Sequence, residues 1–381
     1  MSTHLPEDAA AARAFVDRVV ARMHPAARDY NLAEWNLAVS GAPEHRAALE
    51  RLGAENTRVF TANPAEWAEM QRLYAARGTL ADARLRREIE QLYRSFAAAQ
   101  IDPAQIDRVA ALEAGLTDLY TNFRGTIAGQ PIANNAIAVI LRDSDDSEER
   151  REAWEAGKQI GLAARADLLE LVRLRNASAR AMGFRDYYAK ALELQEVDEG
   201  ELFTLLDDLE ARTREPFRTL KTELDAALAA QCRVPVAELR PWHYSDPFFQ
   251  EAPHTGTTNL DSLFATQDIV ALATRTFDGI GLDVRDILAR SDLFERENKD
   301  QHAFCTHIDR LNDDVRVLCN IRPDARWMDT TLHELGHAVY DKYLGAELPY
   351  LLRAPAHINT TEAIAMLMGR LAIRPEWLAR V

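Results

Sequence analysis

Three residues near the end of the sequence have the types and the spacing of a metal site. His333, Glu334 and His337 form an H-E-x-x-H motif. On an α-helix, which advances about 100° per residue, the two imidazoles lie one turn apart and can bind the same Zn²⁺ ion. The glutamate beside them is placed to take a proton from a water molecule that the metal activates. The motif therefore predicts a catalytic zinc site.

Apolar residues on the side opposite the two histidines indicate that the motif lies on a helix. This stripe contains Leu332, Leu335, Val339 and Tyr343. One face of the helix would therefore pack against the protein while the other presents ligands. Gly336 lies inside the helix, where glycine costs up to ~1 kcal/mol relative to alanine. We expect another backbone or a ligand to approach closely at this position.

A catalytic zinc usually has three protein ligands, and the best third candidate is Glu362. Gly345 and Pro349 should end the motif helix, and a second helix should begin near Asn359. Because this second helix is apolar almost all round, we expect it to be buried, and a buried carboxylate needs a partner. Two alternatives remain: Asn359 and Glu362 could form a capping box, or His357 could be the ligand or bind substrate.

Most of the remaining sequence has the composition and periodicity of α-helix. Only 15 prolines and 16 glycines interrupt it, and apolar residues recur every three or four positions. The clearest helix runs from Ser147, its expected cap, to Met182, and Gly183 should end it. A second runs from Asp198 to Ala230. The inward stripe of the first is expected to contain Leu168, Leu171, Val172 and Leu174.

One segment has the pattern of a strand pair. Apolar residues alternate from Val315 to Ile321, and 303–308 can pair with this segment across a turn at 311–314. The free edge of such a small sheet could bind an extended peptide, or a helix could cover it.

A long irregular connection from Leu239 to Thr258 is rich in aromatic residues and includes Pro253 and His254. It could be a functional loop, or its rings could plug a helical domain, and we slightly favour the plug.

Charge and composition exclude several classes of protein. The sequence has 45 Lys+Arg against 60 Asp+Glu, a net charge of −15. Such an acidic chain lacks the basic surface that binds nucleic acid. It has no secretion signal and no apolar stretch long enough for a membrane span, so we expect a soluble, cytoplasmic protein that binds neither membranes nor nucleic acid. The cysteines, Cys232, Cys305 and Cys319, are expected to be reduced and mostly buried.

The motifs, taken in order, resemble those of angiotensin-converting-enzyme-like zinc peptidyl dipeptidases, with thimet-oligopeptidase-like enzymes a close second. The strongest resemblance lies in the H-E-x-x-H segment and in YLLRAPAHINTTEAIAMLMGRL, which starts at Tyr350. It extends over nearly all of the chain through Asn31–Asn36, Glu152–Glu155, Leu239–Trp242 and Asp314–Leu318.

The resemblance implies a mainly α, two-lobed metallopeptidase fold with a deep cleft and one small antiparallel β element. It implies a single peptidase domain over 1–381, with the zinc-binding part in 300–370. His333, His337 and Glu362 would hold Zn²⁺, and Glu334 would be the general base and later the proton shuttle.

Substrate binding is also implied by the resemblance. The strand from Ala303 to Asp309 would run along the substrate, and Ala303 would contact it. The histidine expected on this strand is His302 or His307, and we favour His307.

Two features depart from the family pattern. Related enzymes commonly have an acidic residue one turn after the glutamate ligand, where it holds a zinc histidine, but this position is Met366. The ligands must then be oriented by other residues, since loss of such a partner costs roughly 10–100-fold in metal affinity or activity.

The second departure is at the end of the chain. A helix should start at Arg374-Pro-Glu-Trp377, but the sequence stops at Val381. Related enzymes continue with helices that carry a tyrosine and a histidine for the oxyanion, and losing such a donor costs roughly 10²–10³ in rate. We therefore expect the chain to lack its C-terminal helices.

These observations together predict a zinc metallopeptidase that hydrolyses short peptides, as a peptidyl dipeptidase or an oligopeptidase. The alternative is a catalytically incomplete remnant that binds zinc or peptides.

Overall fold

The structure, a computed structural model, describes residues 5–249 and 260–380. It is mainly helical, as the sequence predicts. In chain order the helices are α1 (Leu5–Ser40), α2 (Pro43–Thr61), α3 (Pro64–Ala76), α4 (Ala83–Ala99), α5 (Ile106–Asn122), α6 (Asn134–Asp143), α7 (Ser147–Ala181), α8 (Tyr187–Leu194), α9 (Glu199–Cys232), α10 (Asp261–Phe264), α11 (Ile269–Gly279), α12 (Arg285–Arg290), α13 (Ala325–Lys342), α14 (Ile358–Gly369) and α15 (Pro375–Leu378). The strands are β1 (Gly125–Ile127), β2 (Gln130–Ile132), β3 (Phe304–Asp309) and β4 (Asp314–Leu318).

The strands form two antiparallel hairpins within the described residues. The predicted pair is confirmed as β3 and β4, with Cys305 opposite Val317. The hairpin of β1 and β2 was not predicted. The sequence predicted one antiparallel β element, and the described residues contain two. Its strands are only three residues long, and its turn, Ala128-Gly129, has positive φ at both residues, 49° and 80°. Strands this short leave almost no alternation for the sequence to reveal.

The chain divides into two compact units. Unit 1 contains the described residues of 1–121, 171–195 and 260–381, and unit 2 contains those of 122–170 and 196–259. In unit 1, one buried cluster joins α11, α13 and the β3–β4 hairpin, and another joins α1, α3 and α4. In unit 2, the buried cluster joins α6 to the first part of α7.

The two predicted long helices are confirmed as α7 and α9. The cap of α7 is Asp146, whose carboxylate accepts a hydrogen bond from the Glu148 N–H at 2.8 Å. The prediction that Ser147 is the cap was therefore wrong, and its hydroxyl instead bonds the ring of His243 at 2.8 Å. Gly183 follows α7 with a φ of 91°, as expected for a residue that ends a helix.

The predicted stripe on α7 is only partly buried. Leu171 is 3% exposed, but Leu168 is 48% and Val172 is 43% exposed. Helical periodicity identifies the residues that share a face, but it cannot tell whether another element covers that face.

The aromatic connection after α9 is described as far as Phe249. Its first part folds into two short 3₁₀ turns, and the ring of His243 is 1% exposed. The ring of Trp242 packs beside Trp154 in the core of unit 2, which favours the plug, although Phe248 and Phe249 are exposed. Pro253 and His254 lie outside the described residues.

All three cysteines are free thiols, with Cys232 and Cys319 buried and Cys305 partly buried, as predicted. None of the described helices combines the length and the apolar character that a bilayer span requires.

The helix predicted near the end of the chain is present as the short α15. Trp377 is 9% exposed, and its indole N–H donates to the hydroxyl of Thr276 at 3.1 Å. A helix of four residues is unstable alone, so this docked tryptophan stabilises it.

Candidate metal centre

The helix α13 carries the H-E-x-x-H motif. The carboxylate of Asp324 caps it by accepting a hydrogen bond from the Trp327 N–H at 2.8 Å. Three residues of the predicted stripe are buried: Leu332, Leu335 and Val339. The fourth, Tyr343, is 47% exposed because it lies at the cap where the helix ends. The buried stripe fixes α13 in the core and leaves the histidines on its other side.

The helix α14 supplies the third candidate ligand. Its cap is His357, whose Nδ1 accepts a hydrogen bond from the Asn359 N–H at 3.0 Å. The capping box between Asn359 and Glu362 is therefore not formed. His357 serves the cap and does not join the other histidines.

The expectation that α14 is buried on all sides was wrong. Ala365 is fully buried, but Ile358 is 54%, Met366 is 48% and Leu367 is 57% exposed. Ala365 packs against α13 and Met368 packs against the core cluster, while Ile358, Met366 and Leu367 face outward. The side chain of Glu362 is accordingly 44% exposed rather than buried.

Gly336 explains how close the two helices are. A Cβ added to this residue would lie 2.8 Å from the Cα of Ala365, which is far too close for two carbon atoms. The predicted close approach of another backbone is therefore present. Glycine allows α14 to pack directly on α13, and this packing brings Glu362 up to the histidines.

The structure brings the three predicted ligands together. The Nε2 atom of His333 lies 3.6 Å from Oε2 of Glu362, and Nε2 of His337 lies 3.5 Å from Oε1. One ligand atom from each of the three residues lies within 4.8 Å of the others. Residues 5–249 and 260–380 contain no second such group.

These distances fit a zinc ion. Ligand atoms about 2.0–2.1 Å from a tetrahedral zinc stand about 3.4 Å from one another, close to the two separations between the histidines and Glu362. Burial lowers the pKa of His337, and the charge of His333 lowers it further, although Glu362 opposes this. A neutral imidazole is the form that binds a metal.

Glu334 lies beside this group and is 7% exposed. Burial raises its pKa to about 8, and the nearby charge of Glu362 adds to the rise, while a hydrogen bond from the Cys305 N–H opposes it. A carboxyl group of raised pKa next to a candidate metal site can accept and return a proton near neutral pH.

The free edge of β3 meets two helices. The N–H of Cys305 bonds Glu334 on α13, and the amide nitrogen of Asn31 on α1 donates to the carbonyl of His307 at 3.0 Å. The helices therefore occupy part of the edge that could have bound a peptide.

His307, which we favoured as a substrate residue, is largely buried. Its side chain is 9% exposed, and its Nδ1 lies 3.9 Å from Oδ1 of Asp341. Neither ring nitrogen has a hydrogen-bond partner. Burial lowers the pKa of His307 to about 4 and raises that of Asp341 to about 6.

The other two residues considered for substrate binding differ in exposure. Ala303 is 8% exposed and belongs to the core cluster around α13. His302 lies on the surface just before β3, and its N–H donates to the carboxylate of Asp300 at 2.8 Å.

Three residues near the site were not found by sequence reasoning: Asp329, Asp341 and Thr361. Asp329 and Asp341 lie one helical turn before His333 and one turn after His337, so their spacing was a usable signal. The hydroxyl of Thr361 lies 2.7 Å from Nδ1 of His337. Only the packing of α14 on α13 reveals this contact.

Comparison with known proteins agrees with the resemblance. The peptidase M2 family model, described as angiotensin-converting enzyme, matches residues 6–222, which is more than half of the chain. The matched part ends before α13, so the metal centre adds independent support. No curated protein matches the chain. The thimet-oligopeptidase-like alternative is not confirmed. The helical fold and this match show that the chain belongs to the angiotensin-converting enzyme family of metallopeptidases.

Proposed function

We propose that the chain is a zinc peptidase that hydrolyses short peptides, with zinc held by His333, His337 and Glu362. The observation that carries this proposal is the convergence of their ligand atoms, which come from two helices, within 4.8 Å. Two imidazoles and one carboxylate are a frequent ligand set of catalytic zinc in peptidases, and they leave one position open.

Bound zinc supplies a Lewis acid that polarises the scissile carbonyl and makes a nearby water more acidic. The chain itself supplies the proton transfers. Glu334 takes a proton from the attacking water at its carboxylate and then gives it to the leaving amine nitrogen. Its burial supports this role, because a carboxyl group away from bulk water holds a proton more readily.

We further propose that the substrate lies along the segment from Ala303 to Asp309, which contains β3. The hydrogen bond from the Cys305 N–H to Glu334 supports this, because it joins β3 to the residue that we propose as the general base. Ala303 would contact a peptide through its main chain, because its side chain is buried. His307 would contact the part of a peptide that lies near Asp341, because its ring faces this residue.

The decisive experiment compares the zinc-loaded chain with its Glu334→Gln variant on a graded set of short peptides. The products are identified by mass spectrometry, which also shows whether dipeptides, single residues or internal fragments are released. We expect the variant to lose at least about 10²-fold in rate, since general-base catalysis contributes roughly 10²–10⁴. Its zinc content should equal that of the unaltered chain.

Glu376→Gln is the matched control, because Glu376 is exposed and lies on α15. It should leave the rate unchanged. If Glu334→Gln retains full activity, the proposed role of Glu334 is wrong. If the unaltered chain binds zinc and peptides but cleaves none, the chain is a binding protein instead.

A further inference from the structure

The two histidines of the metal centre differ in what holds their second ring nitrogen. Both direct Nε2 toward Glu362. Nδ1 of His337 lies 2.7 Å from the hydroxyl of Thr361, so a hydrogen bond fixes this ring. No hydrogen bond to Nδ1 of His333 is found within the described residues. A metal-bound histidine almost always donates this second N–H to a carboxylate, a carbonyl or a water.

Asp329 is the carboxylate on α13 that can become this acceptor when its side chain turns toward His333; in this structure the ring of His333 pairs with Glu362 and not with Asp329. It precedes His333 by four residues on α13, so both lie on one face of the helix. Side chains on a helix lean toward its N-terminus, and the imidazole of His333 therefore leans over the turn that carries Asp329.

The end of α14 leaves room for the carboxylate of Asp329. A Cβ on Gly369 would lie 3.1 Å from Oδ1 of Asp329, so a larger residue there would crowd the carboxylate. Burial raises the pKa of Asp329, and the charges of His333 and then Arg370 oppose the rise. Arg370 is thus the other cation near this carboxylate, and the charge of His333 lowers the pKa of Asp329 more than that of Arg370 does.

We propose that Asp329 is a positioning residue that accepts a hydrogen bond from Nδ1–H of His333 and so keeps Nε2 directed at the metal. The inference rests on the proposed function, because it concerns the zinc-loaded site. It also accounts for Met366, which is 48% exposed and offers no acceptor: the carboxylate comes from α13 instead of α14.

The test is zinc affinity, measured by competition with a chelator, in the unaltered chain and in Asp329→Asn. We expect the variant to bind zinc about 10–100-fold more weakly. Thr361→Val should weaken binding by a similar factor, because it removes the partner of the other histidine. Asp341→Asn is the matched control: it makes the same charge change on the same helix, but this carboxylate faces His307, and the affinity should stay within about twofold.

A spectroscopic measurement separates positioning from a general effect on folding. In ¹⁵N NMR of the zinc-loaded chain, the Nδ1 proton of His333 should exchange slowly with water, and in Asp329→Asn it should exchange fast. The thermal midpoint of the metal-free protein should be nearly the same in both.

The possible outcomes are distinct. Unchanged zinc affinity in Asp329→Asn, or an unchanged His333 signal, would overturn the role of Asp329 and leave the proposed function standing. Absence of zinc binding by the unaltered chain would overturn both proposals.

Discussion

Two regions of the molecule bury polar side chains in opposite ways. In unit 2, Arg150 is fully buried, and its guanidinium donates to the carbonyls of Ser144, Trp242 and His243 at 2.6, 3.1 and 3.0 Å. In unit 1, near the metal centre, the side chain of His307 is 9% exposed, but neither of its ring nitrogens has a hydrogen-bond partner.

The difference shows what each region does. A buried group with all its hydrogen bonds holds loops and helices together, and it is not available for chemistry. Buried groups with few partners have shifted pKa values and remain able to exchange protons or bind a metal. Changes around Arg150 should therefore reduce stability alone, while changes at His307 and Asp341 should alter how stability depends on pH, and changes at the metal ligands should weaken zinc binding.

The largest expected effect on stability is that of Arg150→Met. The variant leaves three carbonyls without their donor, and each unpaired buried polar group costs about 1–3 kcal/mol. We expect the free energy of unfolding, measured with urea, to fall by about 3 kcal/mol. Zinc affinity of the folded protein should not change. A loss of zinc affinity as large as that of Asp329→Asn would break the comparison.

Gly336→Ala should lower both the free energy of unfolding and the affinity for zinc. The added methyl group would lie 2.8 Å from the Cα of Ala365 and would push α14 away from α13. We expect the free energy of unfolding to fall by about 1–3 kcal/mol, as is usual for overpacking, and zinc binding to weaken because Glu362 moves with α14. Urea denaturation and chelator competition measure the two effects.

Gly161→Ala is the control for this substitution. Gly161 also lies inside a helix, α7, but nothing approaches its missing Cβ within 4 Å. Alanine should therefore stabilise the protein by up to about 1 kcal/mol. If Gly336→Ala stabilises the protein as well, the close packing of α13 on α14 is not needed.

His307→Leu should change how stability depends on pH. In the unfolded chain His307 has its usual pKa of 6.5, but in the folded protein burial lowers this pKa to about 4. The folded state therefore loses stability as the pH falls from 6.5 to 4. The quantity to compare is the free energy of unfolding of the leucine variant minus that of the unaltered chain. This difference should be roughly 1–2 kcal/mol more favourable to the variant at pH 5 than at pH 7. Urea denaturation at both pH values measures this.

Asp341→Asn is the counterpart with the opposite sign. Burial raises the pKa of Asp341 from 3.8 to about 6, and Arg310 opposes the rise. The folded state therefore loses stability as the pH rises from about 4 to 6, so the asparagine variant should gain stability at pH 7 and not at pH 4.

The charges that act on the pKa of His307 are those of Arg310, Asp309, Asp314 and Arg353. Equal pH dependence in both variants would show that this pair does not titrate as proposed.

Local sequence patterns predicted much of the fold. The bounds of α7 and α9, the β3–β4 hairpin and the helical H-E-x-x-H segment were all predictable, because each depends on caps, turns and periodicity within a short stretch. The β1–β2 hairpin was missed because its strands are too short to show a pattern.

The prediction failed where a face had to be assigned to core or solvent. The apolar composition of α14 indicated burial on all sides, yet Ile358, Met366 and Leu367 are exposed, and the helix buries only a narrow face that includes Ala365. The same failure occurred for Leu168 and Val172 on α7. Hydrophobicity is a property of one segment, but burial depends on which other segment covers it.

The sequence by itself determined the ligand types, because H-E-x-x-H spacing on a helix places His333 and His337 on one face regardless of the rest of the protein. Tertiary structure decided that Glu362 reaches them and that Thr361 bonds one of the two histidines. The physical reason is that these contacts depend on how closely two helices pack, and the backbone contact at Gly336 sets that distance.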